Sequence, residues 1–104
     1  MTLREYLSIP YILSSQSLLR DGTWIRIVSY PEVPDCVVEG LETVRMIDEL
    51  DVRRIRTIVS ILRSGGCPPV PRSPLPHVDV EGLLERLGLD ELIALLDVPR
   101  LSEA

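Results

Sequence analysis

The sequence has no lysine and no phenylalanine, a single histidine, a single tryptophan and two cysteines. Each scarcity removes a class of answer. The one histidine, His77, lies in a proline-rich stretch. No Cys–His or Ser–His pair with local support can be read, and His77 reads as a loop residue. Two cysteines and one histidine fall short of the donor set of a structural zinc site. The aromatic residues are only Tyr6, Tyr11, Trp24 and Tyr30, so few rings are offered for stacking nucleic-acid bases. Without phenylalanine the core must be mostly Leu, Ile and Val. All eleven basic residues are arginine, which reads as coding bias rather than chemistry.

Long apolar runs are missing too. Nowhere do about 18 continuous apolar residues occur, the length a membrane span needs. The first residues show no basic region followed by an apolar one, as a secretory leader would. A cytoplasmic protein without membrane association is therefore expected. Of the two states open to Cys36 and Cys67, a disulfide or a reduced pair, that compartment favours the reduced one. No glycine-rich phosphate loop is present: Gly65-Gly66 follows a helical pattern rather than preceding one and reads as a helix C-cap.

What is present describes a small α+β binding domain. The 104 residues suit one domain with a small appendage, and 45% hydrophobic composition is enough for a modest core. The net charge of −5 opposes phosphate binding by the surface as a whole. The stretch Val28 to Gly40, VSYPEVPDCVVEG, organises the chain. Pro31 and Pro34 each fix φ and remove a backbone donor, so Pro31-Glu32-Val33-Pro34 forms a turn or a bulged edge. Val37 and Val38 then favour a pleated strand, and Gly40 permits the strand-to-helix exit.

Upstream, Leu3, Tyr6, Leu7 and Ile9 make an apolar patch, a helical turn or edge segment closed by Pro10. Tyr11 to Leu19 reads as a partly exposed strand, Asp21-Gly22 as a hairpin turn, and Trp24 to Tyr30 as the returning strand. Trp24, Arg26, Val28 and Tyr30 share one face, and Ile25, Ile27 and Ser29 the other. Both faces are partly apolar, which suits a sheet that meets a helix on one side and a partner or a second copy on the other. Cys36 to Glu39 is a third, short strand.

Beyond Gly40 the period changes to that of a helix. Val44, Ile47, Ile55, Ile58, Val59 and Leu62 fall on one side of a wheel opposite Arg45, Arg53, Arg56 and Arg63, with Arg54 off to one side. This predicts an amphipathic helix from about Leu41 to Arg63, stopped by Ser64-Gly65-Gly66. Asp48 and Asp51 interrupt the apolar side and are expected at its edge, because a lone buried charge is costly. Cys67 to Pro76, with five prolines in ten residues, is an extended connector. Past it, Gly88 divides an acidic, leucine-rich segment into short helices, Val80 to Leu87 and Asp90 to Leu96. Their leucines exceed what two isolated helical turns can hide. The expected organisation is a core over 1–66, a connector over 67–77 and an appendage over 78–104.

Two surface features are candidate sites. Glu32, Asp35, Glu39 and Glu42 form an acidic cluster at the corner, which reads as a solvated turn or a surface for a basic partner rather than as a divalent-cation site. Arg45, Arg53, Arg56 and Arg63 form a stripe that could meet nucleic acid, but Asp48, Glu49 and Asp51 dilute it. A solvated helix face is its plainer reading. The C-terminal segment, with Arg86 and Arg100 against seven acidic residues from Asp79 onward, has the wrong sign for phosphate.

In order and spacing, YLSIPYIL, a hairpin, YPEVPDCVVEG and a long helix ending in ILRSGGCPPVPRSP resemble the HicB family of type II antitoxins. Pro31-Glu32-Val33-Pro34-Asp35-Cys36-Val37 stands where that family has its proline corner. Gly66-Cys67-Pro68-Pro69-Val70-Pro71 stands at its Gly-x-Pro tail, and the likeness covers about Tyr6 to Pro74. It implies a three-stranded antiparallel sheet packed on one long helix, the partial and catalytically dead RNase H-like core, with homo-oligomerisation. It also implies neutralisation of a small, basic HicA-type mRNA-interferase toxin by covering its RNA-binding surface. The residues agree on one point independently: an RNase H site needs several strand carboxylates for its metal, and only Glu39 lies at a strand end. The acidic, leucine-rich C-terminus resembles neither DNA-reading module that members often append.

The expectation is thus a binding protein, not an enzyme, with no catalytic residue, cofactor or metal. Glu32, Asp35, Glu39 and Glu42 would meet the partner electrostatically, and Leu92 and Leu96 would add apolar contact. A structural adaptor and a nucleic-acid-binding regulator that uses the arginine stripe are the alternatives.

Overall fold

The computed structural model describes residues 1–103, which form two compact units. One is Tyr11–Thr57, and the other joins Met1–Pro10 to the chain from Ile58 onward. The division does not follow the expected boundaries at 66 and 78: the first ten residues belong with the C-terminal segment, because both carry apolar surface that neither can bury alone. A single helix runs through the boundary.

The Tyr11–Thr57 unit is an antiparallel sheet of three strands in the order β1-β2-β3, followed by the first part of a helix. Strand β1 is Ser14–Arg20, β2 is Thr23–Ser29 and β3 is Val37–Gly40. Asp21 and Gly22 close the first hairpin with φ of 52° and 79°. Two consecutive positive φ values define the turn whose twist matches paired strands, which is why Asp-Gly stands there. The register is continuous, from Ser14 opposite Ser29 to Arg20 opposite Thr23. Strand β1 starts at Ser14 rather than Tyr11, and Tyr11 is instead buried beside it.

Cross-strand pairing stacks Ser15, Val28 and Val38 on one face. Val28 and Val38 are buried there with Val33, Cys36, Met46, Leu50 and Ile55, which together make this unit's core. On the opposite face Ile25 and Ile27 are half-buried.

Helix α2 spans Thr43–Arg63. Its buried side differs from the expected one at the start: Val44 is 78% exposed, whereas Met46 and Leu50 are buried. The stripe runs through Met46, Leu50, Arg54 and Ile58 at four-residue steps, with Asp51, Ile55 and Val59 beside it. The helix ends as expected. The Gly66 amide donates to the Ile61 carbonyl at 2.9 Å and the Gly65 amide to Leu62 at 3.1 Å. Gly65 has φ of 82°, which only glycine adopts without strain.

In the other unit, helix α1 is a single turn, Leu3–Tyr6, held by reciprocal bonds between Thr2 and Glu5. Helix α3, Val80–Arg86, is capped by Asp79, whose carboxylate accepts from the Gly82 amide at 3.0 Å. A 3-10 helix follows at Asp90–Leu95. Leu3, Leu84, Leu89 and Leu96 are among its fully buried side chains. The connector has no regular secondary structure; the Leu75 amide donates to the Ser8 carbonyl at 2.8 Å and Arg72 to the Pro10 carbonyl at 3.1 Å. Cys36 is buried and Cys67 exposed, and both are free thiols. No helix among the described residues is long and apolar enough to cross a membrane.

Leu50 and Val44 separate burial from composition on one helix. Leu50→Ala should cost about 2–5 kcal/mol in urea denaturation, through lost contacts and the cavity left behind. Val44→Ala should change stability by no more than about 0.5 kcal/mol.

Candidate functional site

The proline corner is built between Tyr30 and Cys36. The Tyr30 amide donates to the Cys36 carbonyl at 3.0 Å, and the Val33 amide donates back to the Tyr30 carbonyl at 3.0 Å. Pro31 and Pro34 cannot donate, so the loop closes through these two amides. Val33 and Cys36 point inward and are buried, while Asp35, with φ of 54°, is turned to the surface.

Beneath the corner lies a polar network that the sequence pattern did not reveal. The Tyr30 hydroxyl donates to Asp51 Oδ1 at 2.6 Å. Arg54 lies 3.6 Å from the same oxygen and places its guanidinium carbon 5.4 Å from the centre of the Tyr30 ring. The Asp51 and Arg54 side chains are only 12% and 8% exposed. Asp51 is therefore not at the edge of the apolar stripe but on its buried side. The placement is tolerated because a phenol and a guanidinium satisfy the carboxylate. The Cys36 thiol donates to the Leu50 carbonyl at 3.7 Å, and burial pushes its pKa up. Corner and helix are thus joined at adjacent residues, Leu50 and Asp51. A signal existed: a carboxylate and an arginine three apart on a buried helical line must answer each other.

The four acidic residues have different environments. Glu32 accepts from the Ile12 amide at 2.9 Å and so holds the chain entering β1. Glu39 pairs with Arg20 at 3.1 Å across the sheet surface, and Glu42 with Arg45 at 3.1 Å. Asp35, Glu39 and Glu42 are exposed. No group of three or more His, Cys, Asp or Glu side chains among the described residues is placed to hold a metal ion.

The arginine stripe is exposed at Arg45, Arg53, Arg56 and Arg63, and acids answer Arg45 and Arg53. Arg45 meets Glu42, and Arg53 meets Glu49 at 3.4 Å. Two expected partner-binding residues are not at the surface: Leu92 is 5% and Leu96 0% exposed. They fill the core of the unit that contains the N-terminal helix, since the tail needs an apolar surface to pack on and finds it there.

Exposed apolar surface lies elsewhere. Trp24 is 66%, Leu41 69% and Val44 78% exposed. Trp24 and Leu41 line a shallow concavity of about 180 Å³ with Ser17, Ile25, Arg26 and Thr43. Glu42 lies in sequence between Leu41 and Thr43, so apolar and acidic groups adjoin. Comparison with protein-family models, curated proteins and solved structures gives no match.

The network makes a pH prediction. Burial, aided by the bond to Asp51, pushes the Tyr30 phenol from its ordinary 10.0 up to about 12. The folded state holds this proton more tightly than the unfolded one. Its contribution is therefore present below pH 10 and lost as pH rises through about 12. Tyr30→Phe should destabilise at neutral pH by about 1–3 kcal/mol, by leaving Asp51 a partner short. The gap to the wild type, read by denaturation, should narrow between pH 10 and 12; a constant gap would mean that the phenol is not held this way.

Proposed function

We propose that this chain is a HicB-like antitoxin, a cytoplasmic protein that neutralises a small, basic HicA-type mRNA interferase by covering its RNA-binding surface. The observation that carries the reading is the pairing of exposed apolar anchors with exposed carboxylates in the Tyr11–Thr57 unit. Trp24, Leu41 and Val44 are large and exposed, and Asp35, Glu39 and Glu42 are among the exposed acids of the same unit. Tryptophan is enriched among the few residues that dominate binding energy, and Glu42 follows directly on Leu41, which lines the concavity together with Trp24.

The order of elements supports the same reading. A hairpin, a proline corner with Val33 and Cys36 turned inward, a short third strand and a long helix occur in the order the resemblance implies. The chemistry is occlusion. A ribonuclease surface that binds phosphate carries positive charge, and carboxylates presented to it compete with RNA while apolar contact supplies the holding energy. The pairs Glu39–Arg20 and Glu42–Arg45 are solvent-exposed and contribute little by themselves, about 0–1 kcal/mol each. The partner's cations can replace those arginines at small cost.

Purification from its host should recover a small basic ribonuclease, whose RNA cleavage this chain suppresses at one-to-one stoichiometry. Asp35→Arg combined with Glu42→Arg should slow association by about tenfold at low salt and leave dissociation nearly unchanged. Trp24→Ala should chiefly speed dissociation. Glu32 is a poor test residue, because its substitution also frees the Ile12 amide. A partner that is not a ribonuclease, or cleavage that continues when the chain is saturating, would overturn the reading.

A further inference from the structure

The outer edge of β1 is open, and its geometry specifies what can pair with it. In a hairpin closed by a two-residue turn, the pair flanking the turn is hydrogen-bonded and bonding alternates from there. Here Arg20 and Thr23 flank Asp21-Gly22, and the register continues without a bulge. Arg20, Leu18, Gln16 and Ser14 therefore bond to β2, while the amides and carbonyls of Ser15, Ser17 and Leu19 point away from it. No other backbone segment among the described residues takes them up. Ser15, Ser17 and Leu19 are exposed.

Exposed edges are ordinarily shielded by shortness, bulges, proline or inward charges. The other edge of the sheet is shielded in this way: β3 is four residues long, carries Glu39 and follows a proline corner. Strand β1 has seven residues, no proline and one charge, Arg20, at its end.

We propose that β1 pairs antiparallel with β1 of a second copy about a two-fold axis through Ser17, joining the two sheets into one continuous sheet. The strand is complementary to itself in this arrangement and in no neighbouring register to the same degree. Ser17 faces Ser17, and Ser15 faces Leu19. Each of these pairs joins residues whose amides and carbonyls point outward, so each exchanges two hydrogen bonds. Gln16 faces Leu18, and the single charge, Arg20, faces Ser14, so no like charges oppose. All seven residues find a partner. A strand from a different protein would satisfy the same backbone groups but would have no reason to match the length or this charge pattern.

The signature lies in alternate amides. In amide hydrogen exchange followed by NMR, the Ser15, Ser17 and Leu19 amides should gain at least about tenfold protection as concentration rises through the dimerisation range. Gln16 and Leu18, already bonded to β2, should change little. Sedimentation equilibrium should show a monomer–dimer transition over the same range. Ser17→Pro removes an outward amide and no bond to β2, a placement edge strands tolerate. It should keep the native circular dichroism and weaken dimerisation at least about tenfold, whereas Ser17→Thr should dimerise as the wild type does. A monomer at all concentrations, a dimer undiminished by Ser17→Pro in a folded protein, or amide protection that misses the alternate residues of β1 would each overturn the proposal.

Discussion

The Asp51 carboxylate is the constraint around which the Tyr11–Thr57 unit is arranged. It lies on the buried stripe of a helix whose neighbouring stripe positions, Leu50 and Ile55, are wholly excluded from water. A carboxylate there without partners would cost several kcal/mol, an appreciable part of the stability of a small domain. Its two partners set geometry as well as energy. Arg54 comes from the next turn of the same helix, so its contribution is local. Tyr30 is the last residue before the proline corner, so its hydroxyl fixes the corner over one particular turn of the helix. The Cys36 thiol on the Leu50 carbonyl fixes the other end of the loop one residue away. With both ends held, the loop between them projects Asp35 outward without having to be stiff throughout.

Much of this was legible in residue order, and the part that was not has a specific cause. Asp-Gly, the two prolines, Val37-Val38 and the double glycine act through backbone preferences that neighbours hardly alter, and each stands where expected. The expected phase of α2 fails at Val44, where hydrophobicity does not mean burial. At that end of the helix the sheet is reached by Met46, whose sulfur lies 3.2 Å from where a Cβ on Gly40 would be. Arg54 was assigned beside the solvent-facing arginines for the same reason. A side chain with a long apolar stem can occupy a core position if its head finds an acid and a ring.

The unit formed by the chain's first and last segments could not be read locally, because its fastenings cross most of the sequence. Arg4 bonds to Glu81 and to Asp97, and its backbone amide donates to the Leu96 carbonyl at 3.0 Å. The two ion pairs are solvent-exposed and contribute little energy singly. Their role is register: they decide which turn of the leucine-rich segment meets Leu3 and Tyr6. Leucine spacing alone permits several such alignments, and a partner protein could have satisfied it equally well. That ambiguity is why Leu92 and Leu96 read as a binding surface in sequence and stand in the core in structure.

The two edges of the sheet divide two kinds of recognition. At β3, backbone pairing is blocked by length and proline, and what remains for a partner is charge and apolar side chain: Asp35, Glu39, Glu42 and Leu41. Such groups give fast, salt-sensitive encounter and tolerate sliding until an anchor seats. At β1 the only charge is Arg20, at the end of the strand, and what stands open is a row of backbone donors and acceptors. These carry little long-range attraction but a strict register, because a one-residue slip turns every side chain to the opposite face. The two proposed surfaces are not wholly separate, since Ser17 of β1 lines the same concavity as Trp24 and Leu41. Strand β2 carries Trp24 opposite Leu19 of β1, so the tryptophan stands where the side-chain surface meets the backbone edge.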